Sequence, residues 1–211
     1  MNLYTLFNAC LLVDYKKIGK STNYALIRKN QTLYVFFESS NGVTDWKNNL
    51  DFPAKPYKRN CKTVWFAHRG FIKAWKEVEP IIASAVCDRT IKQIIIAGYS
   101  HGGALAVLCH EYAWFNRPDI RHNVFGFGFG APRVFWGVIS NELKLRWENF
   151  TVIKNINDLV TRLPPATFGF KHVGKLIKIG KKGKYTGIEA HLPQNYLEEL
   201  KSFTNNKKTD L

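Results

Sequence analysis

Residues 91–108 hold the stretch that constrains this chain most: an apolar run, the pentapeptide Gly98-Tyr99-Ser100-His101-Gly102, and a helix-length segment, in that order. Ile94, Ile95, Ile96 and Ala97 are mostly β-branched and bounded by Gly98, which suits a strand buried on both faces of a parallel sheet. Ala104-Leu-Ala-Val-Leu108 then opens a helix reaching about Phe115. Gly-x-Ser-x-Gly between a strand and a helix is the pattern of a nucleophile elbow. There a serine sits on a strained turn with its hydroxyl pushed into the open, and the neighbouring turns have no room for Cβ atoms. A Gly-rich structural turn is the bland alternative, and it asks nothing of Ser100.

The rest of the chain supplies a matching frame. Tyr24–Arg28 and Thr32–Phe37 read as an antiparallel hairpin around the polar turn at residues 29–31. A loop rich in proline and basic residues at 53–59 precedes a strand at Thr63–Ala67 and a long amphipathic helix from Phe71 to about Cys87. Beyond the elbow helix come a strand at Asn123–Gly130, a helix to about Trp147, and a strand at Phe150–Asn157. A lysine-rich strand pair around 180–183 and a helix after His191 complete the order. This alternation predicts an α/β fold with a mostly parallel central sheet flanked by helices.

With 211 residues and 45 % hydrophobic content the chain reads as one domain over 1–211, with a flexible polar tail from about residue 205 to 211. The N-terminal stretch lacks a basic start and a cleavage site, so it reads as a helix packed on the domain rather than a signal peptide. No apolar run reaches transmembrane length. A cytoplasmic location is therefore expected, and the four widely spaced cysteines are expected to be free thiols.

A serine nucleophile needs a base, and the base needs an orienting carboxylate; in the α/β-hydrolase order they follow as Ser, acid, His. Of the six histidines, only His172 and His191 lie late enough in the chain. His172 is boxed into the aromatic-glycine segment 168–174 and reads as structural, which leaves His191, on a polar loop before the last helix, as the base. Asp158 stands at a strand end, where site residues gather in open α/β sheets. Its bland alternative is a turn-forming aspartate. The oxyanion donors are expected from the backbone N–H of His101 and from Ser40, at the end of an earlier strand. Val43, Trp46 and Leu50 fall at helical spacing just after it, as a candidate lid or an ordinary surface helix.

Together these residues resemble the class 3 lipase family, the fungal-type triacylglycerol lipases and their bacterial relatives. Phe37-Glu38-Ser39-Ser40 with Asp45-Trp46 is similar to the family's oxyanion segment and lid. His68-Arg69-Gly70-Phe71, Gly98 to Gly103 and Gly130-Ala131-Pro132-Arg133-Val134 resemble its next three motifs. Asn157-Asp158-Leu159-Val160, Leu163-Pro164-Pro165, Phe168 to Gly174, and Ala190-His191 with Tyr196 resemble its acid and base segments. The resemblance implies an α/β-hydrolase fold, a Ser100–Asp158–His191 triad and oxyanion donors at Ser40 and His101. The chain departs from the family at Glu38-Ser39 for Arg-Gly, His101 for Leu and Ala190 for Asp. The lid segment is short and mostly polar, which implies weak interfacial activation and a preference for short or medium acyl chains.

The expected activity is a serine carboxylic-ester hydrolase, a lipase or esterase on acylglycerols or other lipid esters, needing no metal and no cofactor. The net charge of +15 favours anionic partners in general. It keeps two alternatives open: a phospholipase on anionic membrane lipids, with peripheral contact to that surface, and a non-catalytic basic binding module. Nucleic acid is the less expected partner, because the lysines at 171–184 also suit a solvated hairpin.

Overall fold

A computed structural model describes residues 2–18, 22–39, 53–59 and 62–209. The main sheet has seven strands: β1 (Lys16–Ile18), β2 (Thr22–Lys29), β3 (Thr32–Phe37), β6 (Gln93–Tyr99), β7 (Val124–Phe129), β9 (Phe150–Asn155) and β11 (Lys175–Ile179), adjacent in that order. β1–β2 and β2–β3 pair antiparallel, and every pairing from β3 to β11 is parallel. A parallel sheet needs covering on both faces. On one face α1 (Leu3–Leu12) and α5 (Pro193–Thr209) bury Phe7, Tyr196 and Leu200 against Phe36, Ile95, Ala97 and Phe129. On the other, α2 (Arg69–Val86) and α3 (His101–Asn116) bury Trp75, Val78, Ile82, Leu105 and Leu108 against Leu33, Val35, Ile94 and Ile96. β6 lies between these layers with Ile94 to Tyr99 all buried, which is why its sequence is continuously apolar instead of alternating.

A second sheet of four strands, in the order β10 (Phe170–Lys171), β8 (Phe135–Trp136), β5 (Lys62–His68), β4 (Ala54–Arg59), joins the α2–α3 side through Trp65 and Phe135. Its stacked pair Trp65–Phe135 meets Trp147 edge-on at 5.1 Å. The hairpin, the N-terminal helix, the mostly parallel sheet and the final helix lie where the sequence put them.

Four local expectations are corrected. Residues 54–59, expected as a loop, form β4, because Pro56 sits on an edge strand where its missing N–H costs no ladder bond. In place of a helix through Trp147, Phe135–Trp136 pairs with β5 and β10, and the helix shrinks to α4 (Asn141–Leu145), whose N-cap Ser140 accepts from Leu143 N–H. The lysine-rich hairpin is a single strand, β11, parallel to β9; Lys184 turns away to pair with Glu198 and Glu199 on α5. The tail expected from 205 continues α5 to Thr209, because no glycine or proline interrupts the helix after Pro193. Among the described residues Cys10, Cys87 and Cys109 are free thiols, and no helix is long and apolar enough to cross a membrane.

Candidate active site

The candidate site lies at the carboxyl ends of β6, β7 and β9, the end of an open α/β sheet where loops leave room for a ligand. Ser100 follows β6 with φ 56° and ψ −120°, a left-handed region that costs a serine about 1–3 kcal/mol unless its surroundings enforce it. They do so through backbone. A Cβ at Gly98 would strike the Gly102 carbonyl and lie 2.8 Å from Gly103 N, and one at Gly102 would strike the Phe37 and Glu38 backbone. The strand, the turn and the end of β3 therefore approach more closely than any side chain allows. Ser100 N–H donates to Phe129 O at 2.9 Å, tying the turn to β7. The Ser100 hydroxyl does not cap α3; it points away from the helix.

That hydroxyl lies 2.8 Å from His191 Nε2, and His191 Nδ1 lies 2.8 Å from Asp158 Oδ2. All three residues are buried, Asp158 completely. The carboxylate can only accept, so Nδ1 carries the proton and donates to it, leaving the Nε2 lone pair to accept from Ser100 Oγ–H. Asp158 is itself pinned: Val160 N–H donates to Oδ1 at 2.8 Å and Tyr196 OH donates to Oδ2 at 2.5 Å. Tyr196 OH in turn accepts from Asn155 N–H at 3.0 Å, so the acid is referenced to the last residue of β9.

His191 is clamped from another side. Tyr99, the residue before the serine, stacks its ring on the His191 imidazole, with centroids 5.0 Å apart and planes 22° apart, and its hydroxyl donates to the His191 carbonyl. Phe7 of α1 meets Tyr99 edge-on at 5.4 Å and Tyr196 at 5.8 Å, so the N-terminal helix backs both aromatic supports. Arg133 holds the acid loop: its Nη1 donates to the carbonyls of Arg162 and Pro164, and its own N–H donates to Leu163 O at 2.7 Å. The roles of Tyr99 and Arg133 were not read from the sequence. The Arg of Gly-Ala-Pro-Arg-Val and the aromatic inside the elbow were their only signals.

His101 is the first residue of α3, so its N–H has no intrahelical acceptor and stands at the positive end of the helix, beside Ser100. Its ring packs on Phe71 with centroids 5.5 Å apart, and burial pushes its pKa down to about 4, so it is neutral at ordinary pH. His172 plays the structural part expected of it, with Nε2 2.8 Å from Thr161 O on the acid loop and a pKa of about 4, lowered mainly by burial. Ser40 and the lid residues Val43, Trp46 and Leu50 lie outside the described residues. The arrangement can deprotonate a hydroxyl as it attacks an electrophile, hold the resulting imidazolium against a carboxylate, and offer at least one backbone donor to a developing oxyanion.

Residues 34–168, more than half of the chain, match the sequence model of the family described as Lipase (class 3). The chain belongs to the class 3 lipase family. The match takes in Ser100 and Asp158 and stops short of His191, which the fold supplies from the loop before α5. A lipase of Rhizomucor miehei is 30 % identical over 151 residues, covering 69 % of this class 3 lipase chain and 41 % of that protein. "Secreted mono- and diacylglycerol lipase 1" of Fusarium solani is 29 % identical over 166 residues, covering 74 % and 46 %. The chain thus spans less than half the length of these curated relatives. Among solved structures, Rhizomucor miehei triacylglyceride lipase superimposes with a TM-score of 0.66 at 26 % identity, covering 80 % of this chain and 67 % of that one. A triacylglycerol lipase structure whose catalytic centre is described as a serine protease triad aligns equally well, with the same TM-score, identity and coverage.

Proposed function

We propose that the protein is a serine carboxylic-ester hydrolase of the lipase type, acting on acylglycerols or on lipid esters of short or medium acyl chains. The continuous relay Ser100 Oγ–His191–Asp158, starting from a serine in a strained turn, carries this reading. Ser100 attacks the ester carbonyl while His191 takes its proton; the imidazolium is stabilised by Asp158 and returns the proton to the leaving alcohol. Water, deprotonated by His191, then cleaves the acyl-enzyme. The N–H of His101 serves as one oxyanion donor, and Ser40 is proposed for the second. Maintaining a strained serine and a buried carboxylate costs stability, so a scaffold used only for binding would gain by losing them. That cost argues against the non-catalytic alternative. The named activities of the relatives, triacylglycerol and mono- and diacylglycerol lipases, support acylglycerols as the substrate class.

The experiment is hydrolysis of a graded series of p-nitrophenyl esters, acetate to palmitate, by the wild type and by Ser100→Ala. Turnover by the wild type, lowered at least about 10³-fold in the variant with the fold intact by circular dichroism, is the expected result. A profile peaking at short or medium chains supports the chain-length part of the proposal, and equal or faster turnover of long-chain esters removes it. Equal rates for the two proteins would overturn the assignment of Ser100.

A further inference from the structure

Over residues 150–184 the chain carries eight lysines and arginines and one acid, Asp158, and that acid is consumed by His191, Tyr196 and the Val160 N–H. The fold gathers part of this charge. Lys154 on β9 and Lys178 on β11 are direct partners in the parallel register, and so lie side by side on one face of the sheet. Leu176, paired with Val152, shares that face and is 46 % exposed. Arg162 comes from the acid loop with its Nη2 on Ile156 O at 3.1 Å, and Arg133 is drawn to the same loop by its bonds to the Arg162 and Pro164 carbonyls.

None of the ion pairs found among the described residues involves these four cations, although seven other lysines, arginines and histidines pair with carboxylates. Lys154 is held below its ordinary range by burial and then by Arg162 and Arg133, and Arg133 by burial and then by Arg162. Asp158 offsets part of this at Lys154 but is bonded to His191, Tyr196 and the Val160 N–H, and like charges drawn together with no carboxylate paired to them gain most from an external anion. The segment that carries Arg162 also carries exposed apolar side chains: Leu159, next to Asp158, is 40 % exposed and Phe168 is 63 % exposed.

We propose that Arg133, Lys154, Arg162 and Lys178, with Leu176 on the same sheet face and Leu159 and Phe168 from the segment that carries Arg162, form the surface by which this protein docks on an anionic phospholipid bilayer. Basic side chains engage the headgroups, and the projecting leucines and phenylalanine enter the interface, the combination that holds peripheral proteins on acidic membranes. Nucleic acid would match the charge but not the three apolar side chains, of which only Phe168 could stack on a base. The proposal deepens the hydrolase reading: the acid loop that orients His191 would lie against the lipid, so the purpose of docking rests on that reading while its test does not.

The test is co-sedimentation of the full chain, carrying Ser100→Ala so that the lipid stays intact, with phosphatidylcholine vesicles and with vesicles containing about one third phosphatidylserine. Binding should be confined to the anionic vesicles and fall with added salt. Basic residues near such a surface contribute about fivefold each, so Lys154→Gln/Arg162→Gln/Lys178→Gln should weaken partitioning on the order of 100-fold. Lys16→Gln/Lys17→Gln/Lys29→Gln removes equal charge at the opposite edge of the sheet and should weaken it severalfold at most. If the first triple variant misfolds, Arg162→Gln/Lys178→Gln, both exposed, replaces it and should still exceed the control loss. Equal losses in cluster and control variants, equal binding to neutral vesicles, no binding to anionic ones, or tighter salt-matched binding to duplex DNA through the same cations would each overturn the proposal. Ester hydrolysis by the wild type without vesicle binding removes the docking surface alone; vesicle binding without any hydrolysis removes the hydrolase reading alone.

Discussion

Ser100 is positioned by backbone sterics, whereas His191 and Asp158 are positioned by side-chain hydrogen bonds, although the three meet within 2.8 Å contacts. On the Ser100 arm β6, the turn, α3 and the end of β3 are packed without intervening side chains, and Ser100 is held there at a strained φ of 56°. On the base–acid arm the loops are irregular. Tyr99, Tyr196, Val160 N–H and Arg133 supply specific partners that hold ring, carboxylate and loop in place. The first arm tolerates no added atom; the second tolerates shape changes but no loss of a donor or acceptor.

Substitutions separate the two modes. Gly98→Ala should have the largest effect, because its Cβ meets backbone that cannot move aside: a loss on the order of 5 kcal/mol, enough to abolish cooperative unfolding by circular dichroism at 25 °C. A variant that melts within a few degrees of the wild type would show that the elbow is not sterically set. Asp158→Asn should instead leave the fold standing and cut kcat about 10⁴-fold on p-nitrophenyl esters. The amide can donate to Nδ1, turning the His191 tautomer so that Nε2 no longer accepts from Ser100. Less than about tenfold loss would mean that the acid arm contributes little to the chemistry.

Acid probes the arms differently. His110, on α3 and fully buried, bonds Val124 O through Nε2 at 3.2 Å, and burial pushes its pKa down to about 4. Between about pH 6.5, where the unfolded chain protonates this ring, and about pH 4, the unfolded state binds more protons. Stability is therefore full above that window and falls as the pH drops through it. The share of His110 in the loss from pH 7 to pH 5 is about 2 kcal/mol, measurable as a lower urea midpoint. His110→Gln should lose less over the same interval; an unchanged pH slope would rule out a neutral buried ring. His101 at the start of α3 and His172 on the acid loop are depressed in the same way and add to the slope.

Much of the elbow was legible because its cause is local. Gly-x-Ser-x-Gly, an apolar β-branched run and a small-residue helix start suffice to set the turn, since sterics act between residues a few positions apart. The order Ser100, Asp158, His191 was legible from chain order and strand ends. Two of the misread segments share another trait: β4 and the short β8 are stretches whose own pattern is weak, and they became strands because a neighbour offered an edge.

From the sequence alone came the class of fold, the strand–turn–helix that presents Ser100, and the residue types of the relay, because periodicity and turn sterics are short-range. Tertiary structure alone decided which aromatic clamps His191, which tyrosine pins Asp158, and that Lys154, Lys178, Arg133 and Arg162 converge. The bonded and register-paired groups among these are separated by 24 residues, between Lys154 and Lys178, up to 92, between Tyr99 and His191. Over such separations no local preference acts, and strand order and register alone bring the groups within reach.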